Sequence, residues 1–108
     1  MDETILVERD GPIATVVLNR PEKLNALTKP MWYRLGDAFE SLSAIDDVRC
    51  IILRGAGTRA FAPGNDISEF ANERSNVEQA RAYGEVMRRT IEAIGNCRHP
   101  VVAQIHGI

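Results

Sequence analysis

Cysteine is nearly absent from the 108 residues: there are two, Cys50 and Cys97, far apart and without CxxC spacing or a neighbouring His/Cys cluster. That pattern supplies neither a disulfide framework nor a thiolate metal site, and two buried thiols are the expectation. An excess of one charge is missing too, since 13 Lys and Arg against 15 Asp and Glu leave a net charge of -2. Neither sign accumulates along any stretch, which argues against a nucleic-acid or polybasic-membrane partner and favours a small, locally recognised ligand. No apolar run is long enough to span a bilayer. Internal repeats, low-complexity tracts and linkers are absent as well. The acidic start Met1-Asp2-Glu3-Thr4 runs straight into a strand-like segment, so neither a signal nor a transit peptide is expected, and a reducing cytoplasm is.

What is present fits one soluble globular domain, with 44% hydrophobic and 26% charged residues. A chain this short removes only about 60–65% of its unfolded surface from water, so each packing partner matters. Ile5–Arg9 and Ile13–Leu18 are β-branched-rich runs split by Asp10-Gly11-Pro12, which predicts two antiparallel strands and a tight turn. Thr28 is placed to cap a helix with Pro30 in its first turn. Met31, Leu35, Phe39, Leu42 and Ile45 give that helix an apolar stripe, and its end is expected near Asp46-Asp47. The continuous run Cys50–Leu53 predicts a strand buried on both faces. From Val77, the stripe Ala80, Tyr83/Gly84, Met87, Ile91 and Ile94 predicts a second long helix. His99-Pro100 then turns the chain into a strand over Val101–Ile105. The order predicts an α/β architecture of repeated strand-strand-helix units. The last strand has no helix after it to cover its apolar run, and this is expected to be a sticky edge produced by truncation.

The stretch between the third strand and the next helix could carry chemistry. Asp66 and Glu69 have capping-box spacing, predicting a helix start at Asp66 whose amides point back toward Gly64 and Asn65. Gly64 permits positive φ and a sharp turn that exposes the Asn65 N–H. Amides so exposed can hold a phosphate or a developing oxyanion, although a strand, a glycine loop and a capped helix also form an ordinary connection. Residues 55–60 match a G-x-G-x-x-A dinucleotide fingerprint, but Pro63 and Gly64 prevent the helix that fingerprint must open.

In the loop Asn19–Leu27, Arg20 and Lys23 have the charge to meet phosphates, and a solvated loop explains them equally simply. Asn25 reads as a turn residue satisfying backbone groups. His99 and His106 lack nearby carboxylate or thiol partners and read as structural. Trp32 and Phe39 read as core.

Taken in order, Asn19-Arg20-Pro21-Glu22-Lys23-Leu24-Asn25-Ala26-Leu27, Phe61-Ala62-Pro63-Gly64-Asn65-Asp66-Ile67 and His99-Pro100-Val101-Val102-Ala103-Gln104-Ile105-His106-Gly107 resemble three motifs of the crotonase (enoyl-CoA hydratase/isomerase) superfamily. The resemblance covers the N-terminal part of such a domain. It implies the crotonase-like spiral of strand-strand-helix units, here truncated, and an acyl-CoA substrate whose coenzyme A part is bound without any tightly held cofactor or metal. It further implies that Lys23, Leu24 and Ala26 contact the adenine and phosphates, and that Ala62, Gly64, Asn65, Asp66 and Ile67 line the acyl-CoA pocket. The Asn65 backbone N–H would be one of two oxyanion-hole donors, and the family assembles as homo-oligomers, trimers or hexamers. The sequence departs from the commonest pattern at Pro63, which removes an N–H, and at Asn65, where alanine is frequent but the backbone donor is kept. The second donor and the acid/base carboxylates would lie beyond residue 108, so the chain alone is expected to be inactive. Two other readings remain open, a small CoA- or anion-binding module without turnover and a structural fragment that only self-assembles.

Overall fold

The computed structural model describes residues 3–108; Met1 and Asp2, part of the acidic start, lie outside the described residues. Four strands, β1 (Ile5–Asp10), β2 (Ile13–Leu18), β3 (Cys50–Gly55) and β4 (Val101–Gln104), form one sheet in the order β1-β2-β3-β4. The turn at Gly11, with φ +60°, makes β1 and β2 antiparallel, pairing Asp10 with Ile13 and Ile5 with Leu18. Helix α1 (Lys29–Ser43) returns the chain so that β3 runs parallel to β2. A second crossover, through α2 (Phe70–Glu73) and α3 (Val77–Gly95), lays β4 parallel to β3. The sequence of elements is the predicted one, and no described helix is long and apolar enough to cross a membrane.

Alternation on β2 points Ala14, Val16 and Leu18 at α1, whose Met31, Leu35, Phe39 and Leu42 recur at helical spacing and close the core with Val48 and Ile51. Burying each of the large members contributes about 1.5–3 kcal/mol. Thr28 caps α1 as expected, its hydroxyl accepting from the Met31 N–H at 3.3 Å.

Three expectations need correction. Helix α1 stops at Ser43, and His99 Nε2 lies 3.1 Å from the Leu42 carbonyl in its last turn and 3.0 Å from the Ile45 carbonyl beyond it, so Ile45 reaches the core from a non-helical segment. That contact gives His99 the structural role expected of it. Strand β3 is not buried on both faces: Ile51 and Gly55 are buried while Ile52, Leu53 and Arg54 are half-buried, because α1 covers one face only. Both cysteines are likewise half-buried free thiols.

On α3, Tyr83 is buried and Ile94 packs against the core as expected, but Ala80, Gly84 and Ile91 of the stripe are exposed and Thr90 is buried beside the last of them. The helices approach closely there: a Cβ on Gly36 would sit 2.9 Å from Thr90 Oγ1. A small side chain fits that approach, and the Thr90 hydroxyl meets the Trp32 carbonyl at 2.6 Å and the Val86 carbonyl at 3.0 Å. β4 is an edge strand that ends at Gln104, one residue short of the expected Ile105; Val101 packs against the core, while Val102 is 52% exposed and Ile105 65% exposed, so the apolar run is uncovered in part.

Candidate functional site

Because β2, β3 and β4 are parallel, the loops that follow them leave the same edge of the sheet, the usual position for a ligand site in such sheets. The loop after β2 makes a 3₁₀ turn at Pro21–Lys23, after which Leu24 and Asn25 take left-handed conformations with φ of 56° and 64°. This aims the Asn25 side chain inward, where it is 1% exposed. Its Nδ2 donates to the Ala56 and Ala60 carbonyls at 3.1 and 3.0 Å, and its Oδ1 accepts from the Arg20 N–H at 2.9 Å. The turn role read from sequence is therefore right in kind, but Asn25 also joins the β2 loop to the β3 loop.

Arg20 makes a second link, donating to Asp66 Oδ2 at 2.7 Å and to the Ala26 carbonyl at 3.1 Å. The guanidinium is committed to a carboxylate rather than presented to a phosphate. Ser68, whose hydroxyl and N–H both donate to Asp66, and then Arg20 hold the Asp66 carboxyl down at about 2. The β4 loop joins through an Ala60–Gly107 bridge and an Ala62 N–H that donates to the Ile108 carbonyl at 2.9 Å. A Cβ on Gly107 would lie 2.1 Å from the Arg59 carbonyl oxygen, so only glycine allows this approach.

The third link is a parallel bridge between Leu27 and Asn65. The Leu27 N–H donates to the Gly64 carbonyl at 2.8 Å, and the Asp66 N–H donates to the Leu27 carbonyl at 2.8 Å. In a parallel bridge the central residue turns its own N–H and C=O to the opposite side. The Asn65 N–H accordingly faces away from Leu27 and meets no acceptor among the described residues. Gly64, at φ +117°, supplies the turn that the sequence requires before it. The Asn65 side chain is held separately, Oδ1 accepting from the Trp32 indole N–H at 2.7 Å and Nδ2 lying 3.7 Å from Met87 Sδ.

A helical turn starts at Asp66 as expected, a 3₁₀ turn over Ile67–Glu69 that runs directly into α2, with the Asp66 side chain accepting from the Ser68 N–H. The reciprocal half of the capping box does not form, since the Asp66 N–H goes to the Leu27 carbonyl. Glu69 Oε1 instead accepts from the Lys29 N–H at 2.8 Å and from the Tyr83 hydroxyl at 3.1 Å, which ties this loop to α1 and α3. Burial first, and the neighbouring Glu69 charge second, push the Tyr83 phenol up to about 12. With only a 3₁₀ turn and the four-residue α2 behind it, the Asn65 amide owes its direction to the Leu27 bridge and the Gly64 turn rather than to a long helix's macrodipole.

Of the residues singled out in the sequence, Ala26, Gly64, Asn65 and Asp66 come together at this junction. Leu24 and Asn25 line a cleft of about 230 Å³ with Pro21 and residues 56–60. Lys23 is exposed at the end of its turn, Ala62 is half-buried, and Ile67 is 76% exposed. A larger cleft of about 450 Å³ beside Tyr33, Asp37 and Val86 holds none of the candidate residues. Sequence reading assigned Trp32 to the core and Met87 to the helix stripe. Both are half-buried and reach the junction through Asn65. The one signal for that link was an asparagine directly after the Gly64 turn.

Comparison with known proteins places these loops in context. A sequence profile described as enoyl-CoA hydratase/isomerase matches residues 13–108. Human mitochondrial 3-hydroxyisobutyryl-CoA hydrolase is 34% identical over 107 residues, covering 98% of this chain and 28% of the relative. The peroxisomal Delta(3,5)-Delta(2,4)-dienoyl-CoA isomerase of Arabidopsis thaliana is 36% identical over 115 residues, covering 97% and 41%. A crystal structure described as an enoyl-CoA hydratase/carnithine racemase from Magnetospirillum magneticum superposes with a TM-score of 0.95 at 51% identity, covering 99% of this chain and 40% of that one. The chain thus spans well under half the length of these relatives.

Proposed function

The chain belongs to the enoyl-CoA hydratase/isomerase family, and from that premise we propose that it forms the acyl-CoA-binding part of an enzyme that stabilises a thioester enolate, with the Asn65 main-chain N–H as one oxyanion donor. The observation that carries this reading is the Asn65 N–H itself, without an acceptor among the described residues and fixed in direction by the bridge to Leu27. A donor held in place before the substrate arrives needs no reorganisation when charge develops on a carbonyl oxygen, which is what makes it catalytic. The relatives' names, a hydrolase and an isomerase of CoA thioesters, differ in reaction but share that carbonyl.

On this reading Lys23, Leu24 and Ala26 bind the adenine and phosphate parts of coenzyme A, Lys23 with an exposed side chain and Leu24 at the cleft wall. Ala62, Gly64, Asn65, Asp66 and Ile67 line the acyl-CoA side, and Asp66 acts there through its bond to Arg20 as a support of the loop. Polarising the carbonyl also requires a second donor and proton-transfer groups, so the 108 residues alone are expected to give no turnover. The intact protein is proposed to work as a cytoplasmic homo-oligomer.

Two substitutions in the intact protein test the donor. Asn65→Pro deletes the N–H and should lower kcat by about 10²–10³ while changing CoA affinity much less. Asn65→Ala keeps the N–H and should hold kcat within roughly tenfold. Melting curves and CoA titration check that both variants fold. Equal kcat losses from proline and alanine in folded protein would transfer the role to the carboxamide and defeat the backbone assignment.

A further inference from the structure

Asn65 brings an acceptor oxygen into the immediate neighbourhood of the free N–H proposed as the oxyanion donor. Asparagine side chains readily hydrogen-bond nearby main-chain N–H groups, the habit that favours them in turns. An unrestrained carboxamide at this position would therefore compete with a substrate carbonyl for the donor. In the structure it is restrained at both ends, Oδ1 by the Trp32 indole N–H at 2.7 Å and Nδ2 toward Met87 Sδ at 3.7 Å. Trp32 is itself fixed: its carbonyl accepts from Thr90 Oγ1 at 2.6 Å where α3 crosses α1.

We propose that Trp32 is a positioning residue, whose indole N–H holds the Asn65 carboxamide against the helices and so keeps the Asn65 main-chain N–H open to substrate. The inference rests on the donor role of that N–H. It adds that the helix pair α1–α3 controls access to it through its hold on the Asn65 carboxamide. The indole ring need not touch substrate for this, since its effect passes through the Asn65 side chain.

The test is a double-substitution cycle in the intact protein, following kcat, KM and melting temperature together. Trp32→Phe keeps an aromatic ring but lacks the N–H donor, and should lower kcat roughly tenfold with KM within about twofold, as expected when a reacting group is held less well. Adding Asn65→Ala removes the freed competitor. Trp32→Phe with Asn65→Ala should therefore recover the kcat of Asn65→Ala alone, even though its melting temperature stays lowered. A merely structural role for Trp32 would carry its loss into the double variant, leaving it about tenfold slower than Asn65→Ala alone, and that result would overturn the proposal. If Trp32→Phe does not fold, Met87→Leu loosens the other end of the carboxamide and should cost two- to threefold in kcat, again cancelled by Asn65→Ala. Unchanged kcat in folded Trp32→Phe, or in folded Met87→Leu where that variant is the one used, would likewise overturn it. Asn65→Pro separates the two readings: if it turns over normally the donor role fails, whereas if it is slow while Trp32→Phe is normal only the Trp32 role fails.

Discussion

Between β2 and α1, the chain is held by apolar side chains such as Val16, Leu18, Leu35 and Phe39, packed together without a polar partner among them. At the loop junction the opposite holds: Asn25, Arg20, Asp66 and Asn65 connect segments by directed hydrogen bonds of 2.7–3.1 Å. Loss of one member of the first region leaves a cavity that neighbours partly fill. Loss of one member of the second leaves several groups unsatisfied at once and has no such remedy. The core should therefore fail globally and gradually with volume, and the junction locally and all at once.

Phe39→Ala should produce the larger effect on stability, about 3–5 kcal/mol, because Phe39 is fully buried in the middle of the stripe. Chemical denaturation would measure it, and amide exchange should quicken across β2, α1 and β3 together. Loss of protection confined to α1 would show that the sheet and helix are not one cooperative unit.

Asn25→Ala should cost somewhat less, about 2–3 kcal/mol, from the stranded Ala56 and Ala60 carbonyls and from alanine at φ 64°. Its exchange signature should differ in kind. The Leu27, Ala62 and Asp66 amides, which bond across the loops, should lose protection while the Leu35 and Phe39 amides keep theirs. Uniform loss across the chain would erase the distinction between the two regions.

The smallest effect is expected from pH. Because the folded Asp66 carboxyl sits at about 2, below its ordinary 3.8, folding favours its ionised form. The resulting stabilisation is complete above roughly pH 4–5 and is lost as pH falls toward 2. Melting temperatures of the wild type and Asp66→Asn should therefore differ at neutral pH and converge near pH 2. A gap that stays constant across this range would mean the Ser68 and Arg20 bonds do not depend on the charge.

The legible part of this protein follows the same division. The β1–β2 hairpin, the Thr28 cap, the α1 stripe and the glycine turn before Asn65 were all readable, since each depends on residues within a few positions of one another. Asp66 and Glu69 show where local reading ends. Their spacing suits a capping box, and Asp66 does cap its turn, yet Glu69 is drawn to the Lys29 N–H and Tyr83 hydroxyl, which packing brings within reach. Thr90 in place of Ile91 at the helix crossing is a similar case. The close approach at Gly36 that selects a small side chain exists only once both helices are docked.

By itself the sequence determined the order of strands and helices, the apolar faces and the three family motifs, because burial is non-directional and its period of two or 3.6 residues is written along the chain. Tertiary structure alone decided that Arg20 meets Asp66 across 46 positions, that Lys29 meets Glu69 across 40, and that Trp32 meets Asn65 across 33. A hydrogen bond needs its donor and acceptor within about 3 Å and in line. No local pattern specifies that for residues so far apart, and it is settled only when α1, α3 and the sheet have packed and brought these donors and acceptors within reach.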